Sequence, residues 1–469
     1  MKILLPILSI LFILNTPAKA QKQEAYQAIH SGIPWFDNQK NIVSAHGACI
    51  VKENNRFYFF GEKHSDSSNV FTGFNCYSST DLYNWTFESI ALPVQNSGRL
   101  GSNRVGERAK VMKCPKTGEF VMFMHTDSTN YKDQCLGYAT SKTITGPYVF
   151  KGPLLFNGNL IRKWDMGTFQ DNDGSGYILI HGGEIYKLND DYKSVVKQVH
   201  KNISSGFESP TIFRKDSTYY FLGSHLTSWE RNDNYYYTAN SLEGPWTFQG
   251  LFAPQGTLTW NSQSTFVLPI KGSKETTYMF MGDRWSFPRQ ASAATYIWQP
   301  FMIAGNSLSL PSYKDTWKIN LKTGVVTYPK DTQKVISHAD KKSITYTGQW
   351  QNNVSDTLNI QYSNEKGASF SVNFTGKQIG FYGLLRPDGG YAKVNVVNSK
   401  GKKVLSALVD MYCKYPIASL VFLSPSLPKD KYQLTVTVTG EHGTWSDKRK
   451  SNYGSSDNFV SLSKIIINE

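Results

Sequence analysis

Acidic and amide side chains recur at the beginning of short strand-like segments along this chain. Glu208 follows a Gly-Phe pair, and the β-branched and aromatic residues Thr211, Ile212 and Phe213 after it favour a strand. A lone glutamate at such a place is ordinarily a surface residue, but similar openings recur. The five openings are Ala45-His46-Gly47, Gly106-Glu107-Arg108-Ala109-Lys110, Trp164-Asp165-Met166-Gly167-Thr168, Phe207-Glu208-Ser209-Pro210 and Ser262-Gln263-Ser264-Thr265. Because three of them carry a carboxylate, their regularity indicates a functional site.

A repeated four-strand pattern surrounds these openings. Between about residues 44 and 323, an apolar, aromatic-rich strand recurs at 57–61, 120–124, 177–181, 219–223 and 278–282, each time after a polar turn. A third strand follows, and then a fourth in most units; in the fifth unit the expected fourth strand is 315–319. Four-stranded units repeated at about 40 to 60 residues are typical of propeller blades. The sequence therefore predicts an all-β protein that begins with a five-bladed β-propeller.

This architecture would bring the openings together. The innermost strand of each propeller blade begins near the central axis, so the side chains at the openings would line one pocket. Glu62, at the end of the second strand of the first blade, would join them. Glycoside hydrolysis uses such carboxylates: a protonated acid donates to the leaving oxygen and a base activates water, roughly 6.5 to 9.5 Å away in inverting enzymes. Burial and neighbouring negative charge keep such an acid protonated near neutral pH.

The order of these motifs resembles glycoside hydrolase family 43. Together with Trp35-Phe36-Asp37, Tyr77-Ser78-Ser79-Thr80-Asp81-Leu82 and Met281-Gly282-Asp283-Arg284-Trp285, the openings are similar to the exo-β-1,3-galactanase branch of that family, up to about residue 325. The resemblance implies that Glu208 is the general acid and that Asp165 orients it and tunes its pKa. It also implies that Glu107 binds the galactose ring and its axial hydroxyl.

The first opening departs from the pattern of most of the family. Where most members have an aspartate as catalytic base, this chain has Ala45-His46-Gly47, a loss that the galactanase branch shares. In that branch the glutamine at the position of Gln263 is thought to hold the water, reacting as an imidic acid. Because an ordinary amide is a very poor base, Gln263 needs either that tautomer or help from Glu62. The expected catalytic residues are Glu208, Asp165, Gln263 and Glu107.

Further side chains are candidates for substrate binding, through hydrogen bonds to hydroxyls or by stacking on sugar faces. They are Glu62, His46, Tyr131, Asp127, Trp229, Asp283 and Trp285. No run of histidines or carboxylates has the spacing of a metal site, so no metal ligand is predicted and no cofactor is required. The resemblance leaves room for a structural calcium ion, because some family members hold an ion near the axis.

The composition and the N-terminus indicate an exported protein. Residues 1–20 combine Lys2, an apolar run and Ala18-Lys19-Ala20, as in a cleavable signal peptide, and no stretch reaches the ~20 apolar residues of a membrane span. The formal charge is +14, but lysines and arginines are scattered along the 469 residues, which argues against a nucleic-acid partner. We expect a secreted or periplasmic monomer that acts on a polysaccharide. Two states of the cysteines agree with the sequence: a disulfide, such as one between Cys114 and Cys135, or buried free thiols.

A second domain follows the repeat. Alternating strands between residues 344 and 469 favour a β-sandwich and resemble the galactose-binding-like jelly rolls attached to many carbohydrate enzymes. The chain then divides into a signal peptide at 1–20, a catalytic propeller at 21–328 and a sandwich at 329–469. The sandwich either binds carbohydrate or braces the propeller. Its candidate ligand edge contains Arg386, Asp388, Tyr391 and Trp445.

Three functions agree with these observations. The first is an exported exo-β-1,3-galactanase that releases galactose from arabinogalactan main chains with inversion. The second is a family 43 arabinofuranosidase or xylosidase, against which the missing aspartate of the first opening argues. The third is a non-catalytic, lectin-like propeller whose acids only hydrogen-bond sugar hydroxyls.

Overall fold

The chain folds almost entirely into β-strands, which confirms the predicted all-β class. A computed structural model describes residues 26–329, 333–355, 358–447 and 450–468, so the expected signal peptide lies outside the described residues. Within these ranges, helical structure is limited to three single turns, a 3-10 turn at Gly98–Leu100, α1 (Leu258–Asn261) and α2 (Gln290–Ala293). None of the described helices has the length and apolar character needed to cross a membrane.

Five sheets follow one another between residues 46 and 300, and each is built from strands that are consecutive in sequence. After β1 (Ile29–His30), the first sheet contains β2 (His46–Glu53), β3 (Arg56–Glu62), β4 (Phe74–Ser79) and β5 (Thr86–Leu92). The second contains β6 (Arg104–Lys113), β7 (Phe120–Ser128), β8 (Cys135–Ser141) and β9 (Val149–Pro153). The third contains an outer hairpin, β10 (Leu155–Phe156) and β11 (Asn159–Leu160), then β12 (Met166–Gln170), β13 (Gly176–Ile180), β14 (Glu184–Leu188) and β15 (Val195–His200). The fourth contains β16 (Glu208–Lys215), β17 (Thr218–Ser224), β18 (Tyr235–Ala239) and β19 (Thr247–Leu251), and the fifth contains β20 (Gln263–Lys271), β21 (Thr276–Arg284) and β22 (Thr295–Pro300).

Neighbouring sheets share hydrophobic cores. Phe60 and Met122 belong to the core between the first and second sheets, and Phe59 and Trp298 to the core between the first and fifth. The first strands also contact one another in order: β2 contacts β6, β6 contacts β12, β12 contacts β16, β16 contacts β20, and β20 contacts β2. The openings of these strands therefore lie close together although they are far apart in sequence.

The fourth strand of the fifth sheet differs from the prediction. The expected strand, observed as β25 (Thr316–Ile319), pairs with β1 and with β26 (Val326–Thr327) instead of with β22. The reason is that the N-terminal segment lies between them: Gly32 N donates to Tyr296 O at 2.8 Å, and Ser31 Oγ donates to Trp298 O at 2.7 Å. A separate hairpin, β23 (Met302–Ala304) and β24 (Ser307–Ser309), separates β22 from β25 in sequence. A two-residue strand such as β1 has no periodicity that a sequence could reveal.

The C-terminal unit, residues 333–468, contains two larger sheets around one core that includes Phe370, Phe381 and Val436. One sheet pairs β27 (Lys334–Ser337), β40 (Lys464–Asn468), β32 (Gln378–Leu385) and β35 (Ile417–Leu423). The other pairs β28 (Ile344–Thr347), β31 (Ser369–Gly376), β36 (Asp430–Val438), β33 (Tyr391–Asn398) and β34 (Lys403–Asp410). Smaller sheets contain β29 (Gln351–Ser355), β30 (Leu358–Ser363) and β39 (Val460–Leu462), and β37 (Thr444–Ser446) with β38 (Asn452–Gly454). All five cysteines are buried and free, so the disulfide considered between Cys114 and Cys135 does not form.

A buried lysine joins three of the five sheets where their first strands meet. Lys110 is 1% exposed, and its Nζ donates to Gly47 O at 2.7 Å, to Ala48 O at 2.5 Å and to Thr265 O at 3.1 Å. An ammonium group has three protons to donate, and here each reaches a backbone carbonyl. This one side chain links the first, second and fifth sheets.

Replacing Lys110 by methionine should destabilise the fold. The three carbonyls would lose a charged donor inside the protein, at a cost of about 3 kcal/mol, because an unsatisfied buried polar group is expensive. The measurement is the urea midpoint followed by tryptophan fluorescence, with the exposed Lys151→Met in β9 as control. A Lys110→Met midpoint equal to that of the control would show that the ammonium does not hold the sheets together.

Candidate active site

A pocket of about 470 Å³ lies where the first strands of the five sheets begin. All four predicted catalytic residues line it, and so do five of the seven predicted substrate-binding residues. The lining consists of Glu62, Asn69, Glu107, Arg108, His125, Asp127, Tyr131, Gln134, Trp164, Asp165, Glu208, Leu226, Ser228, Trp229, Gln263, Trp285, Phe287, Trp445, Ser446 and Asp447. The structure therefore brings the predicted residues together, while their individual roles stay predictions.

A β-bulge at the opening of the first strand aims these side chains. In β2, β6, β16 and β20 the first strand has one extra residue relative to its partner strand. The extra residue lies within the three residues after His46, Glu107, Glu208 and Gln263, respectively. The residues directly after His46, Glu107 and Glu208 have a left-handed backbone conformation: Gly47 with φ 61°, Arg108 with φ 59° and Ser209 with φ 57°. Such backbone is costly for residues other than glycine and is found where a bulge redirects a side chain. In the third sheet Asp165 itself has φ 44°.

The register of the ladders sets which side chains face each other. Glu107 in β6 lies opposite His125 in β7, and Glu208 in β16 lies opposite Ser224 in β17. In the same way His46 lies opposite Glu62, and Gln263 lies opposite Asp283. Four of the five openings are therefore paired with a polar residue in the last part of the second strand of their own sheet, whereas Asp165 precedes the ladder of the third sheet.

Arg108 is the cation at the centre of the pocket. It is 7% exposed; its Nε forms a short ion pair with Asp165 Oδ1, and its Nη2 donates to Gln263 Oε1 at 2.9 Å. Its backbone N donates to Glu62 Oε1 at 2.8 Å. Burial disfavours the charged guanidinium, but the carboxylates of Asp165 and Glu62 outweigh it and raise the pKa of Arg108. The sequence alone predicts no role for Arg108, although it directly follows Glu107.

Glu208 is the carboxyl group that stays protonated. Burial and then the negative charge of Asp165 raise its pKa to about 8, against the opposing effect of Arg108. Asp165 Oδ2 accepts a short hydrogen bond from the backbone N of Ser209, so Asp165 is fixed beside Glu208. The Trp164 side chain also hydrogen-bonds Glu208 and stacks on His181 at 4.0 Å. At neutral pH Glu208 can therefore donate a proton into the pocket.

Glu107 is held in the opposite state by a buried histidine. His125 is 1% exposed, and its two ring nitrogens lie 3.1 Å from Glu107 Oε2 and 3.2 Å from Asp127 Oδ2. Burial opposes a charged imidazole, but these two carboxylates raise the pKa of His125 to about 9. Burial alone would raise the pKa of Glu107; His125 and then Tyr131, whose hydroxyl donates at 2.7 Å, lower it instead. Glu107 therefore offers an ionised carboxylate to the pocket, and His125, which the sequence analysis missed, sets that state.

Gln263 is held as an ordinary amide. Its Oε1 accepts from Arg108 Nη2 and from Trp285 Nε1, each at 2.9 Å, and its Nε2 donates to Ser224 Oγ at 2.9 Å. An imidic acid would carry a hydroxyl at that oxygen, and neither Arg108 nor Trp285 can accept a hydrogen bond from it. This arrangement favours the amide tautomer and leaves one N–H of Gln263 for another partner.

Glu62 occupies the space that a side chain at the first opening would take. A Cβ added to Gly47 would lie 2.1 Å from Glu62 Oε1, so glycine is required there for the carboxylate to reach the pocket. The other oxygen, Oε2, lies 3.1 Å from His64 Nε2. A carboxylate from the second strand therefore lies beside the opening in which most of the family has its aspartate.

Two predicted substrate-binding residues lie behind the pocket wall. His46 is 1% exposed and Asp283 is fully buried; His46 Nδ1 lies 3.1 Å from Asp283 Oδ1, and Gly47 N donates to Asp283 Oδ2 at 3.0 Å. Burial lowers the pKa of His46 despite the carboxylate beside it. Neither side chain is among the residues that line the pocket. Each contacts the other, and their predicted sugar contacts stay predictions.

The pocket also contains residues from the C-terminal unit. Trp445, Ser446 and Asp447 line it, although Trp445 was expected only at a separate ligand edge of the second domain. Of the other residues expected there, Tyr391 is buried and Arg386 pairs with Asp388. No group of three or more His, Cys, Asp or Glu side chains that could hold a metal ion occurs in the part of the chain that the structure describes. The structural calcium ion stays a prediction.

Comparison with known proteins identifies the family. Residues 40–250 match the family described as "Glycosyl hydrolases family 43". The crystal structure of a putative exo-β-1,3-galactanase from Bifidobacterium bifidum is 36% identical, with 62% of this chain and 99% of that chain covered and a TM-score of 0.57. This chain belongs to glycosyl hydrolase family 43. The predicted membership is confirmed, and the chain is a glycoside hydrolase.

Other solved structures extend the similarity to nearly the whole chain. The exo-β-1,3-galactanase from Phanerochaete chrysosporium, with galactose, is 27% identical over 94% of this family 43 chain and 99% of its own, with a TM-score of 0.70. A family 43 β-1,3-galactosidase with galactodeoxynojirimycin is 28% identical over 62% of this chain and 100% of its own, with a TM-score of 0.56. No curated protein sequence matches the chain.

The unusual ionisation of Glu208 predicts a pH-dependent stability difference in Glu208→Gln. A glutamate in the unfolded chain has a pKa of ~4.3, whereas burial and the charge of Asp165 raise the pKa of folded Glu208 to about 8. Between these values the folded state binds the extra proton, so this group lowers the free energy of unfolding as pH rises. The urea midpoint of the variant relative to wild type should therefore increase from pH 4 to pH 8 and then level off.

The exposed Glu275→Gln, between β20 and β21, is the matched control and should follow wild type. A constant difference between Glu208→Gln and wild type across this range would mean that Glu208 ionises normally in the folded protein.

Proposed function

We propose that this family 43 enzyme removes galactose from the end of β-1,3-galactan, the main chain of arabinogalactan, with inversion at the anomeric carbon. The observation that carries the proposal is one pocket in which Glu208 is protonated while Glu107, held by His125, is ionised. Two carboxyl groups in opposite states are what general acid catalysis and sugar recognition require side by side. The substrate is supported by the similarity to exo-β-1,3-galactanases.

In this proposal Glu208 donates its proton to the glycosidic oxygen as the bond to the anomeric carbon breaks. Asp165 is the positioning residue: it binds the backbone N of Ser209 and adds the negative charge that raises the pKa of Glu208. The ionised Glu107 accepts hydrogen bonds from sugar hydroxyls. Tyr131 and Asp127 keep its geometry, the first directly and the second through His125.

Water is activated on the other face of the sugar by Glu62 and Gln263 acting together. Both contact Arg108, which keeps them in one part of the pocket. The amide of Gln263 has one N–H left to donate to the water oxygen, and Glu62 is the group that can accept the proton. Glu62 is thus the proposed base, and Gln263 orients the nucleophile.

The first five sheets are proposed to form a closed five-bladed propeller. The successive contacts from β2 round to β20 and back to β2 support it, as does the N-terminal segment between β22 and β25. The two larger C-terminal sheets around one core support the β-sandwich, and a boundary near residue 329 agrees with them. We further propose that the enzyme is exported and acts as a monomer on a polysaccharide.

Linear β-1,3-galactan is the substrate that tests the function. Wild-type protein should release galactose, and proton NMR should show the α-anomer first, because water attacks a β-linkage from the opposite face. Release only from arabinoxylan would indicate an arabinofuranosidase or xylosidase, and binding without release would indicate a lectin. Glu208→Gln is the control. Its rate of galactan hydrolysis should be reduced about 10²–10⁴-fold by the loss of the general acid. It should still hydrolyse 2,4-dinitrophenyl β-galactoside, because that leaving group needs no proton.

The water-activating group is tested with azide. Glu62→Gln should hydrolyse 2,4-dinitrophenyl β-galactoside slowly, at a rate reduced about 10²–10⁴-fold by the lost base. Azide should restore turnover and yield α-galactosyl azide, because the anion attacks C1 without needing deprotonation while dinitrophenolate leaves. If azide rescues Gln263→Ala instead, Gln263 is the base and Glu62 is not.

A further inference from the structure

The outer part of the pocket wall comes from the C-terminal unit. Trp445 in β37 lines the same pocket as Glu208, about 240 residues away in sequence. Its ring is stacked on Tyr453 at 6.0 Å and approaches Phe287 edge-on at 6.5 Å. Its Nε1 is buried and has no hydrogen-bond partner among the residues described. The indole is partly buried, contacts Tyr412 edge-on at 6.5 Å and contributes to the pocket wall.

Three aromatic rings connect Trp445 with the catalytic centre. Trp285, whose Nε1 donates to Gln263, contacts Trp229 at 5.1 Å, and Trp229 stacks on Phe287 at 5.9 Å and 3°. Phe287 then contacts Trp445. All four line the pocket. The wall runs without interruption from the water-binding amide to the C-terminal unit, and aromatic faces are the surfaces on which the apolar faces of sugar rings stack.

A buried polar network fixes the C-terminal unit beside this wall. Tyr412 donates to Glu230 Oε2 at 2.6 Å, and the guanidinium of Arg231 lies 5.1 Å from the Tyr412 ring. Glu230 is 3% exposed and Arg231 is 2% exposed. Close to it, Ser286 Oγ donates to Asp410 Oδ2 at 2.8 Å. We call Glu230, Arg231 and Tyr412 the interface network.

The same network also holds the catalytic wall. Arg231 Nη1 donates to the backbone oxygen of Trp285 at 3.1 Å, and Arg231 Nε donates to Asn261 Oδ1 at 2.7 Å. Asn261 ends α1, a turn in which all four residues have positive φ, two positions before Gln263. Buried charges contribute little net stability because of their desolvation, so the consequence of this network is a fixed geometry between the two parts of the chain.

We propose that Trp445 forms the binding site for the sugar on the leaving-group side of the cleaved bond, and that the interface network positions it. The inference rests on the proposed function and adds the next galactose of the chain as the ligand. In this arrangement the C-terminal unit completes the catalytic pocket instead of binding carbohydrate as an independent module. The innermost galactose, bound by Glu107, does not depend on Trp445.

Trp445→Ala separates the two sugar sites. kcat/KM for β-1,3-galactotriose should fall about tenfold, close to 1.4 kcal/mol, whereas the inhibition constant of galactose, which fills the inner site alone, should change less than twofold. Trp445→Phe should restore most of the loss, because a ring remains. Tyr328→Ala is the matched control, since Tyr328 is 54% exposed and does not line the pocket. Equal losses for galactose and galactotriose, or no loss for either, would overturn the proposal.

Tyr412→Phe tests the positioning by the interface network. It removes only the hydroxyl that binds Glu230, so KM for galactotriose should rise severalfold while kcat and the inhibition constant of galactose stay unchanged. A merely structural role would lower the amount of folded enzyme and therefore kcat, with KM unchanged, and that result would overturn the positioning role.

Binding to a Glu208→Gln background separates failure of this inference from failure of the proposed function. Calorimetry should find that Glu208→Gln binds galactotriose more tightly than galactose, and that adding Trp445→Ala removes this preference. If wild type hydrolyses no galactan yet the preference and its loss are observed, the proposed function fails and the Trp445 site stands. If galactotriose binds no more tightly than galactose, the Trp445 site fails even when galactan is hydrolysed.

Discussion

The pocket depends on a single guanidinium placed among carboxylates. Glu62, Glu107, Asp165 and Glu208 line it, and buried carboxylates without a cation would all tend to take up protons. Arg108 reaches Asp165 with its side chain and Glu62 with its backbone N, but it has no direct ion pair with Glu208. Burial and then the negative charge of Asp165, which pairs with Arg108, keep Glu208 protonated. One pocket thus contains both a protonated Glu208 and an ionised Glu107.

A second charged group acts in the same way beside Glu107. His125 lies between Glu107 and Asp127, where two carboxylates stabilise its proton and its proton in turn stabilises them. Arg108 and His125 therefore fix the charges of the pocket before any substrate arrives. Catalysis that relies on fixed charges of this kind avoids reorganisation of the site during the reaction.

Much of this arrangement can be predicted from the sequence, and the remainder has identifiable physical causes. Repeated strands and polar openings predict the sheets and bring Glu208, Asp165 and Gln263 into one pocket. They do not reveal His125, because its role comes from the ladder that places it opposite Glu107. The sequence predicts Trp445 only at a ligand edge of the second domain; its place in the pocket escapes prediction because its contacts join residues far apart in sequence. His46 and Asp283 contact each other and do not line the pocket. The sequence alone does not distinguish such a pair from polar residues that do line it.

The bulges after the openings have a consequence for the strands that contain them. In β2 the extra residue is absorbed between His46 and Cys49, and from Cys49 opposite Phe60 onward the ladder is regular. The side chains at the opening of such a strand therefore precede the bulge, and the regular ladder hydrogen bonds begin after it. Glu62, which lies where a Cβ on Gly47 would be, reaches the pocket from β3 beside such a bulge. A bulged opening therefore confines the irregular backbone to the first residues of the strand, and the rest of the sheet keeps its register.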